Sequence, residues 1–327
     1  MTPLKFGIVG CGAVVTLHQL PAFRRSPAVR VEALVDRDRA WASTVASRSK
    51  ISASYDDPRR LIGKVDAVLV ATPNSTHADI SCELLEHGVH VLCEKPLATS
   101  GAEGDRMLEA ARRGGARLMA AQCLRFSPNI DMLHTMLRAG WLGTIEEVTA
   151  TIGGPYRTVA RRTDFRRQRQ LSGGGVLLDL GVHVVDLAVW LAGAPPVEVS
   201  YASRADAGWE VESEVEVRLR FPGDAQAALQ ASFSRQLGNE LVVRGSEGWA
   251  RAPLYLPGEL TFFAPEAGMC RRAGVQTVQL PVGGDMYDAQ IAHFCRAIDT
   301  GEPFRVADGE LRTTLDIVDR CYRSTAA

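Results

Sequence analysis

The 327-residue chain lacks several features that mark particular classes of protein. Its seven cysteines are scattered and form no CxxC pair, which argues against a zinc knuckle or a disulfide framework and favours a reducing cytoplasm. No apolar run approaches the roughly 20 residues of a membrane span, and the N-terminus does not resemble a secretory signal. The formal net charge of −1 lacks the basic excess of nucleic-acid-binding and membrane-surface proteins, so we expect neither partner.

The composition is that of an ordinary soluble protein, 46% hydrophobic and 23% charged, and the length favours two domains. Up to residue 124, short β-rich runs alternate with helix-length stretches, which predicts a parallel sheet with right-handed crossovers. The predicted strands are Lys5–Val9, Val31–Val35, Val65–Val70, Val89–Cys93 and Arg117–Ala121, and the predicted helices cover 13–25, 38–48, 75–87 and 99–114. We therefore place one domain at 1–124.

The pattern changes in residues 125–327, which we take as the second domain. Residues 197–281 mostly alternate between apolar and polar side chains, as in Glu214–Phe221, which predicts antiparallel strands with one buried and one polar face. Further helices are predicted at 128–139, 175–192, 286–299 and 309–322, with a strand at 145–152. Together the two halves predict the α/β fold class.

The motif Gly10-Cys11-Gly12-Ala13-Val14 follows the first strand and opens a helix. Gly10 would allow a tight turn, and Gly12 would let the backbone approach a pyrophosphate on the helix N-terminus. Asp36 ends the second strand, where a carboxylate can accept hydrogen bonds from the adenosine ribose and repel a 2′-phosphate. The neighbouring Arg37 could stack on adenine or pair with that phosphate. The pattern predicts a site for NAD, with NADP as the alternative, and a ligand-free structural turn is the other interpretation.

Two further motifs end predicted strands, where ligands bind in open parallel sheets. Thr72-Pro73-Asn74, with His77 beyond it, ends the third strand, and these residues either contact a cofactor or start the next helix. Glu94-Lys95-Pro96 ends the fourth strand. Lysine is scarce in this chain, and an ammonium group in a dry pocket can stabilise developing negative charge on a reacting oxygen. A surface lysine before a turn proline is the alternative.

The turn Gly173-Gly174-Gly175 leads into an apolar helix that carries Asp179, His183 and Asp186. Their i, i+4, i+7 spacing places the three side chains on one helix face, where buried charges are costly unless they are paired. A histidine flanked by carboxylates is a candidate proton acceptor. A satisfied core network is the alternative. We predict no metal site, because no further His or Cys stands at ligand spacing.

Taken together, these residues resemble the Gfo/Idh/MocA oxidoreductase family over nearly the whole chain and in the family's order. The shared motifs are Gly7–Gly12 with His18 and Pro21-Ala22, Ala71–Asn74 with His77, Glu94-Lys95-Pro96, Arg125–Pro128, Gly140-Trp141-Leu142-Gly143, and Gly173–Asp186 as GGGxxxDxGxHxxD. Two positions depart from the family. Val15 stands where a small residue is commoner, and Cys123 stands where a polar residue is frequent near the nicotinamide.

The resemblance implies an N-terminal Rossmann domain and a C-terminal α/β domain with an open, mostly antiparallel sheet for substrate binding and oligomerisation. It implies a polyol, sugar or related substrate between the domains, and a nicotinamide cofactor. The expected cofactor contacts are Gly10, Gly12, Ala13, Val14, Asp36, Arg37, Thr72, Pro73, Asn74, His77, Glu94 and Lys95. By analogy, Lys95 contacts the reacting hydroxyl, Lys95–Pro96 is cis, His183 carries the proton and Asp179 positions substrate and His183. The expected activity is NAD(P)-dependent oxidation or reduction at a CH–OH group.

Two other functions stay open at this point. One is an NAD-using glycoside hydrolase of the same fold, in which transient oxidation eases elimination of the glycosidic bond. The other is a cofactor-binding regulator without catalysis, which would have no reason to keep Lys95, Asp179 and His183 together.

Assembly and substrate charge are two further expectations. The polar face of the predicted sheet favours a homodimer or homotetramer, since such faces commonly pair between subunits in the resembled family, although a solvated face is the alternative. An arginine cluster precedes the glycine turn: Arg157, Arg161, Arg162, Arg166, Arg167 and Arg169. Arginine forks suit an anionic substrate, but a solvated surface loop is the favoured interpretation of such a charge run.

Overall fold

A computed structural model describes residues 2–156, 164–264, 274–281 and 283–324. The chain divides into two compact units, each built from three separate segments. The first unit comprises Met1–Gln122, Thr158–Gly173 and Tyr287–Leu315. The second comprises Cys123–Arg157, Gly174–Met286 and Asp316–Ala327.

The first unit contains a parallel six-stranded sheet in the order β3-β2-β1-β4-β5-β6. Its strands are β1 (Leu4–Val9), β2 (Val29–Val35), β3 (Ala53–Tyr55), β4 (Ala67–Val70), β5 (His90–Glu94) and β6 (Leu118–Ala121). This is the Rossmann strand order, and it confirms the predicted parallel sheet. The order reverses between β1 and β4, so the loops after these two strands meet where such sheets bind dinucleotides. Strand β3 was not predicted, since three half-buried residues are too few to show a period.

Apart from one short helix at Arg169–Ser172, which was not predicted and falls in the arginine-rich stretch, the described helices lie close to their predicted positions. They are α1 (Leu20–Arg25), α2 (Arg39–Ser49), α3 (His77–Glu86), α4 (Gly101–Gly114), α5 (Pro128–Arg138), α6 (Arg169–Ser172), α7 (Val182–Ala192), α8 (Met286–Thr300) and α9 (Asp308–Ser324). One turn of π-helix precedes α1 at Val15–Gln19, and another precedes α7 at Leu177–Gly181. Such π-turns are rare and frequently occur at functional sites. Both lie beside glycine motifs identified in the sequence.

The second unit contains an eight-stranded sheet in the order β14-β13-β12-β11-β7-β10-β9-β8. Its strands are β7 (Ile145–Gly153), β8 (Glu198–Arg204), β9 (Glu214–Arg220), β10 (Gln226–Ser232), β11 (Glu240–Gly245), β12 (Trp249–Pro253), β13 (Glu259–Ala264) and β14 (Gly274–Gln279). Among the strand pairs of the described residues, only β7–β10 is parallel, so the predicted, mostly antiparallel sheet is confirmed. In β9 the apolar side chains of Val215, Val217 and Leu219 are buried, whereas the polar ones between them face outward.

Helix α7 is the core helix of this unit, and every residue from Val182 to Leu191 is buried. The helical stretch Arg169–Ala192 contains an 18-residue window that is apolar enough to cross a membrane by length and composition. This window is not an uninterrupted apolar run, because polar residues stand within it. The window is 83% buried, as expected for a helix in a protein core.

Candidate active site

Two glycines shape the loop after β1. Gly10 has a φ of +98°, and a Cβ at this position would lie 2.3 Å from the carbonyl oxygen of Ala71, so a side chain does not fit. A Cβ on Gly12 would meet nothing within 4 Å, so the backbone there faces open space. A pyrophosphate can therefore approach the amides of this loop, as a dinucleotide site requires. Val15 is fully buried in the core beneath it.

The Asp36 carboxylate connects this loop to the end of β2. Its Oδ2 accepts a hydrogen bond from the Cys11 N–H at 2.9 Å, and its Oδ1 accepts one from the Asp38 N–H at 2.9 Å. The Trp41 indole N–H donates to the Cys11 carbonyl at 2.8 Å, which fixes the loop from the other side. A carboxylate has about four acceptor positions, so Asp36 retains capacity for ribose hydroxyls. Arg37 is exposed beside it.

His77 joins the loop after β4 to the turn after β5. Its Nδ1 lies 2.8 Å from the Pro96 carbonyl oxygen, and its Nε2 lies 2.9 Å from that of Thr72. The ring is buried. Desolvation lowers the pKa of His77, and the positive charge of Lys95 lowers it further, against the opposing effect of the two carbonyls. His77 therefore fixes the position of both backbone segments.

The Glu94-Lys95-Pro96 turn carries the candidate catalytic lysine. The Lys95–Pro96 peptide bond is cis, as the sequence resemblance implies. Glu94 is buried, and its carboxylate accepts hydrogen bonds from Gln19 Nε2 at 2.6 Å and from the Lys95 N–H at 3.2 Å. Lys95 itself is half-buried. The turn is thus held by Glu94 on one side and by His77 on the other.

Asp186, in the second unit, forms a buried ion pair with Arg125. The Arg125 Nε donates to Oδ2 at 2.7 Å, and its Nη2 donates to Oδ1 at 2.8 Å. The side chains are 0% and 1% exposed. The guanidinium carbon also lies 5.0 Å from the centre of the Trp190 ring. Both carboxylate oxygens of Asp186 are therefore committed to a structural bond.

Asp179 and His183 differ from Asp186 in their environment. Asp179 lies on the π-turn and is partly exposed, and His183 is one turn further along and is buried. The turn before them depends on Glu212, whose Oε1 accepts hydrogen bonds from the Gly175 N–H at 2.9 Å and from the Tyr322 hydroxyl at 2.9 Å. A Cβ on Gly175 would lie 2.0 Å from the Glu212 carbonyl oxygen. This explains the glycine at that position.

The predicted residues thus form two groups. In the first unit, Gly10, Asp36, Thr72 and Lys95 lie at the carboxyl ends of four strands of one sheet. Ala13 and Val14 are half-buried at the start of the π-turn that follows Gly12, and Pro73 is half-buried in the loop after β4. In the second unit, Asp179 and His183 lie at the start of the core helix. The sequence analysis missed Gln19, Glu212 and Tyr322, because a supporting side chain far along the chain carries no local pattern.

The arginine cluster falls partly outside the described residues, since 157–163 are not described. In the described part, Arg167 pairs with Asp164 at 3.3 Å, and the guanidinium carbon of Arg166 lies 4.8 Å from the Phe165 ring centre. The segment then continues to Ser172, whose carbonyl accepts a hydrogen bond from Asn74 Nδ2 at 2.9 Å. Asn74 is therefore a link between this segment and the loop after β4. Within the described residues, no three His, Cys, Asp or Glu side chains form a group that could hold a metal ion.

Comparison with known families assigns the chain. The model of the oxidoreductase family with an NAD-binding Rossmann fold matches residues 4–122, and that of the GFO/IDH/MocA C-terminal domain matches residues 130–251. The trans-1,2-dihydrobenzene-1,2-diol dehydrogenase of Bos taurus is 31% identical over 268 residues, which cover 79% of this chain and 77% of that enzyme. The chain belongs to the GFO/IDH/MocA oxidoreductase family.

Other relatives of this GFO/IDH/MocA protein span its whole length. The D-xylose 1-dehydrogenase (NADP(+)) 2 of Haloferax volcanii is 28% identical, with 98% of this chain and 97% of that enzyme aligned. The crystal structure of the aldose-aldose oxidoreductase of Caulobacter crescentus, complexed with glycerol, superposes with a TM-score of 0.89 at 26% identity, covering 99% and 98% of the two chains. The family assignment confirms the predicted oxidoreductase class and the nicotinamide dinucleotide cofactor.

Proposed function

We propose that this GFO/IDH/MocA protein transfers hydride between NAD(P) and a hydroxyl-bearing carbon of a cyclic polyol, sugar or sugar derivative. Lys95, Asp179 and His183 form the proposed acid–base set. One observation carries the proposal: Lys95 stands at the carboxyl end of β5, in a turn that His77 ties to the loop after β4. This places a cation beside the strand ends at which such sheets bind dinucleotides. The names of the relatives, a xylose and a dihydrodiol dehydrogenase, support substrates that carry CH–OH groups.

The three residues have different tasks in the proposed reaction. In oxidation, the Lys95 ammonium donates a hydrogen bond to the substrate oxygen and stabilises its negative charge as the proton leaves. His183 accepts that proton, and Asp179 orients the hydroxyl and the imidazole. A nicotinamide bound at the strand ends would supply the acceptor for the hydride that leaves the hydroxyl-bearing carbon. In reduction, His183 returns the proton to the oxygen.

We further propose that NAD is preferred over NADP. The Asp36 carboxylate is held by the Cys11 and Asp38 amides, so it cannot easily turn away from a 2′-phosphate. Charge repulsion at short range would weaken NADP binding. Arg37 opposes this effect, because its exposed guanidinium is free to rotate toward a phosphate.

The proposed substrate is neutral rather than anionic. Among the described arginines of the cluster, Arg166 lies over Phe165 and Arg167 pairs with Asp164. These contacts are typical of a solvated charged segment. If the cluster instead binds an anion, a sugar phosphate would be the better substrate, and added salt would raise its KM through screening.

We propose a homodimer or homotetramer that forms through the polar face of the second unit's sheet. That face carries the cross-strand ion pair of Arg204 with Glu214 at 3.3 Å, and Arg235, in the loop after β10, also pairs with Glu214, at 2.7 Å. A solvated face would look similar, so light scattering at micromolar concentration is the test, and a clean monomer would contradict the proposal. None of the six described cysteines forms a disulfide, which supports the proposed cytoplasmic location.

The experiment for the activity follows reduced nicotinamide at 340 nm over a panel of polyols and sugars that includes D-xylose, levoglucosan and glycerol. Net turnover of a neutral member supports the dehydrogenase. Cleavage of a glycoside without net change in cofactor would instead identify a hydrolase. A protein that binds NADH but is silent with every member would be a regulator. Comparing a neutral sugar with its phosphate tests the substrate charge.

A further inference from the structure

Gln19 is a buried glutamine that makes one side-chain hydrogen bond and leaves another unmade. It ends the π-turn Val15–Gln19 and is 0% exposed. Its Nε2 donates to Glu94 Oε1 at 2.6 Å, whereas its Oε1 has no partner among the described residues. A buried acceptor without a partner lowers stability, so an apolar side chain of similar size would be tolerated better here. The bond to Glu94 is therefore what the amide contributes at this position.

The π-turn places Gln19 on the buried side of the helix that follows the glycine loop. The Leu20 N–H donates to the Val15 carbonyl, five residues earlier, so the turn holds one residue more than an α-helical turn. Val15, Gln19 and Leu20 are all buried. His18 is exposed, and its ring stacks on that of Tyr287 in α8 with 5.3 Å between the ring centres. The turn is therefore fixed from both sides.

Glu94 connects Gln19 to the backbone of the lysine turn. Its carboxylate is buried, and its Oε2 accepts a hydrogen bond from the Lys95 N–H at 3.2 Å. One carboxylate oxygen thus contacts the π-turn, and the other contacts the backbone from which the Lys95 side chain extends. Gln19, Glu94 and Lys95 all belong to the first unit, as does the glycine loop before the π-turn. These two bonds relate the position of the lysine to that of the loop proposed to bind the dinucleotide.

We propose that Gln19 is a positioning residue for Lys95 and acts through the Glu94 carboxylate. The inference rests on the proposed function and adds to it a residue outside the acid–base set that determines where the lysine lies. Without the amide donor, the carboxylate loses the contact that fixes its rotamer, and the Lys95 backbone can shift with it. A displacement of about 1 Å in a catalytic group can slow the chemical step by up to about 100-fold.

A purely structural role is the competing explanation. Gln19 would then only hold the π-turn against β5, and its loss would lower Tm without changing the turnover of the folded enzyme. Gln290, in α8 of the same unit, offers a matched control. It is also 0% exposed, and neither of its amide atoms has a partner in the part of the chain that the structure describes. Gln290→Met removes a buried amide that holds no neighbour, so it should leave kcat unchanged.

The first test compares Gln19→Met with Gln290→Met in steady-state kinetics at saturating NAD, with D-xylose and levoglucosan as probes and well below Tm. We expect Gln19→Met to lower kcat about tenfold, while KM and NADH binding by fluorescence change less than about threefold. Gln19→Glu keeps the size of the side chain but replaces the donor by an acceptor, so it should lose at least as much. In a Lys95→Ala background, Gln19→Met should have little further effect, because both changes act on the same group.

The second test needs no turnover. The chain has only four lysines, Lys5, Lys50, Lys64 and Lys95, so reductive methylation with isotope-labelled formaldehyde gives few NMR signals. Lys95→Arg identifies the signal of Lys95. We expect this signal to shift in Gln19→Met and to stay in place in Gln290→Met.

Four results would overturn the inference: an unchanged kcat in Gln19→Met, an equal fall in Gln290→Met, a loss of NADH binding in place of kcat, or a Lys95 signal that stays in place. The proposed function is tested separately. If the unmodified protein turns over no probe but the Lys95 signal shifts in Gln19→Met alone, the proposed function fails and the positioning role stands. If Lys95→Ala lowers kcat and Gln19→Met does not, the inference fails and the proposed function stands.

Discussion

Replacing Asp186 with asparagine should strongly destabilise the second unit and leave the chemistry of the folded enzyme nearly unchanged. The sequence places Asp186 on the same helix face as Asp179 and His183, so a catalytic role and a structural role were both open. In the structure, both oxygens of Asp186 accept hydrogen bonds from Arg125, at 2.7 and 2.8 Å. An asparagine in this place would leave a buried guanidinium without a counter-charge.

The expected loss follows from the burial of this pair. Removing one partner of a fully buried, hydrogen-bonded ion pair costs about 3–5 kcal/mol, mostly because the remaining charge stays desolvated. For a domain of this size, about 2–4 °C of Tm corresponds to each kcal/mol. We therefore expect Tm of the second unit to fall by roughly 6–20 °C. Arg125→Met combined with Asp186→Leu removes both charges and should recover much of this loss.

Thermal and urea unfolding with NAD present measure the effect, and kcat is then measured well below the lowered Tm. Glu109→Gln is the matched control, because it breaks an exposed ion pair with Arg112 and should leave Tm unchanged. The expected result is a large fall in Tm with kcat within about threefold of the unmodified enzyme. A nearly unchanged Tm with a kcat reduced about 100-fold would refute the structural assignment and place Asp186 in the acid–base set.

The other predictions concern catalysis, cofactor choice and acid stability. Lys95→Ala and His183→Ala should each lower kcat about 100-fold or more while NADH binding by fluorescence survives, and near-full turnover in both would disprove their roles. Asp36→Ala should lower the ratio of the NADP dissociation constant to the NAD dissociation constant without abolishing binding. If the unmodified enzyme binds NADP more tightly than NAD, Arg37 is instead a partner of the 2′-phosphate. Desolvation first, and then Arg296, Arg305 and, more weakly, Arg117, lower the pKa of His293 to about 4, against the opposing charge of Glu302. His293 therefore binds a proton near pH 6.5 in the unfolded chain but only near pH 4 in the folded state. The free energy of unfolding should therefore fall as pH falls from about 6.5 to about 4. His293→Gln should flatten this part of a pH series of urea midpoints, and an unchanged slope would contradict the assignment.

The Rossmann half of the fold is predicted well from the sequence. Its strands are apolar on both faces, and the loop after β1 contains a glycine that is required for steric reasons. Gly10 illustrates this, since a side chain there would collide with the Ala71 carbonyl. The short strand β3, which has only three residues, was not predicted. The sequence also did not predict which strands of the second sheet pair with each other. The parallel pairing of β7 with β10 depends on the order in which the chain crosses the sheet. The alternation of apolar and polar residues within a strand does not reveal that order.

Individual residues of the candidate site could be predicted from the sequence, but the contacts that support them could not. Residue type and position at strand ends were enough to single out Asp36 and Lys95. The support around them was not predictable, because it comes from residues far apart in the chain. Gln19 reaches Glu94 across 75 positions, and Tyr322 reaches Glu212 across 110. These bonds depend on how the helices pack, which no short window of sequence contains.

The contrast between Asp179 and Asp186 shows what spacing alone leaves undecided. Both are carboxylates on one helix face, yet Asp186 faces a guanidinium that stands 61 positions earlier in the chain. Asp179 lies instead on the π-turn and is partly exposed. The Arg125–Asp186 pair anchors α7 close to His183 in the chain. Spacing along one helix face therefore groups a carboxylate that is structural, Asp186, with the two residues that the proposed function uses, Asp179 and His183.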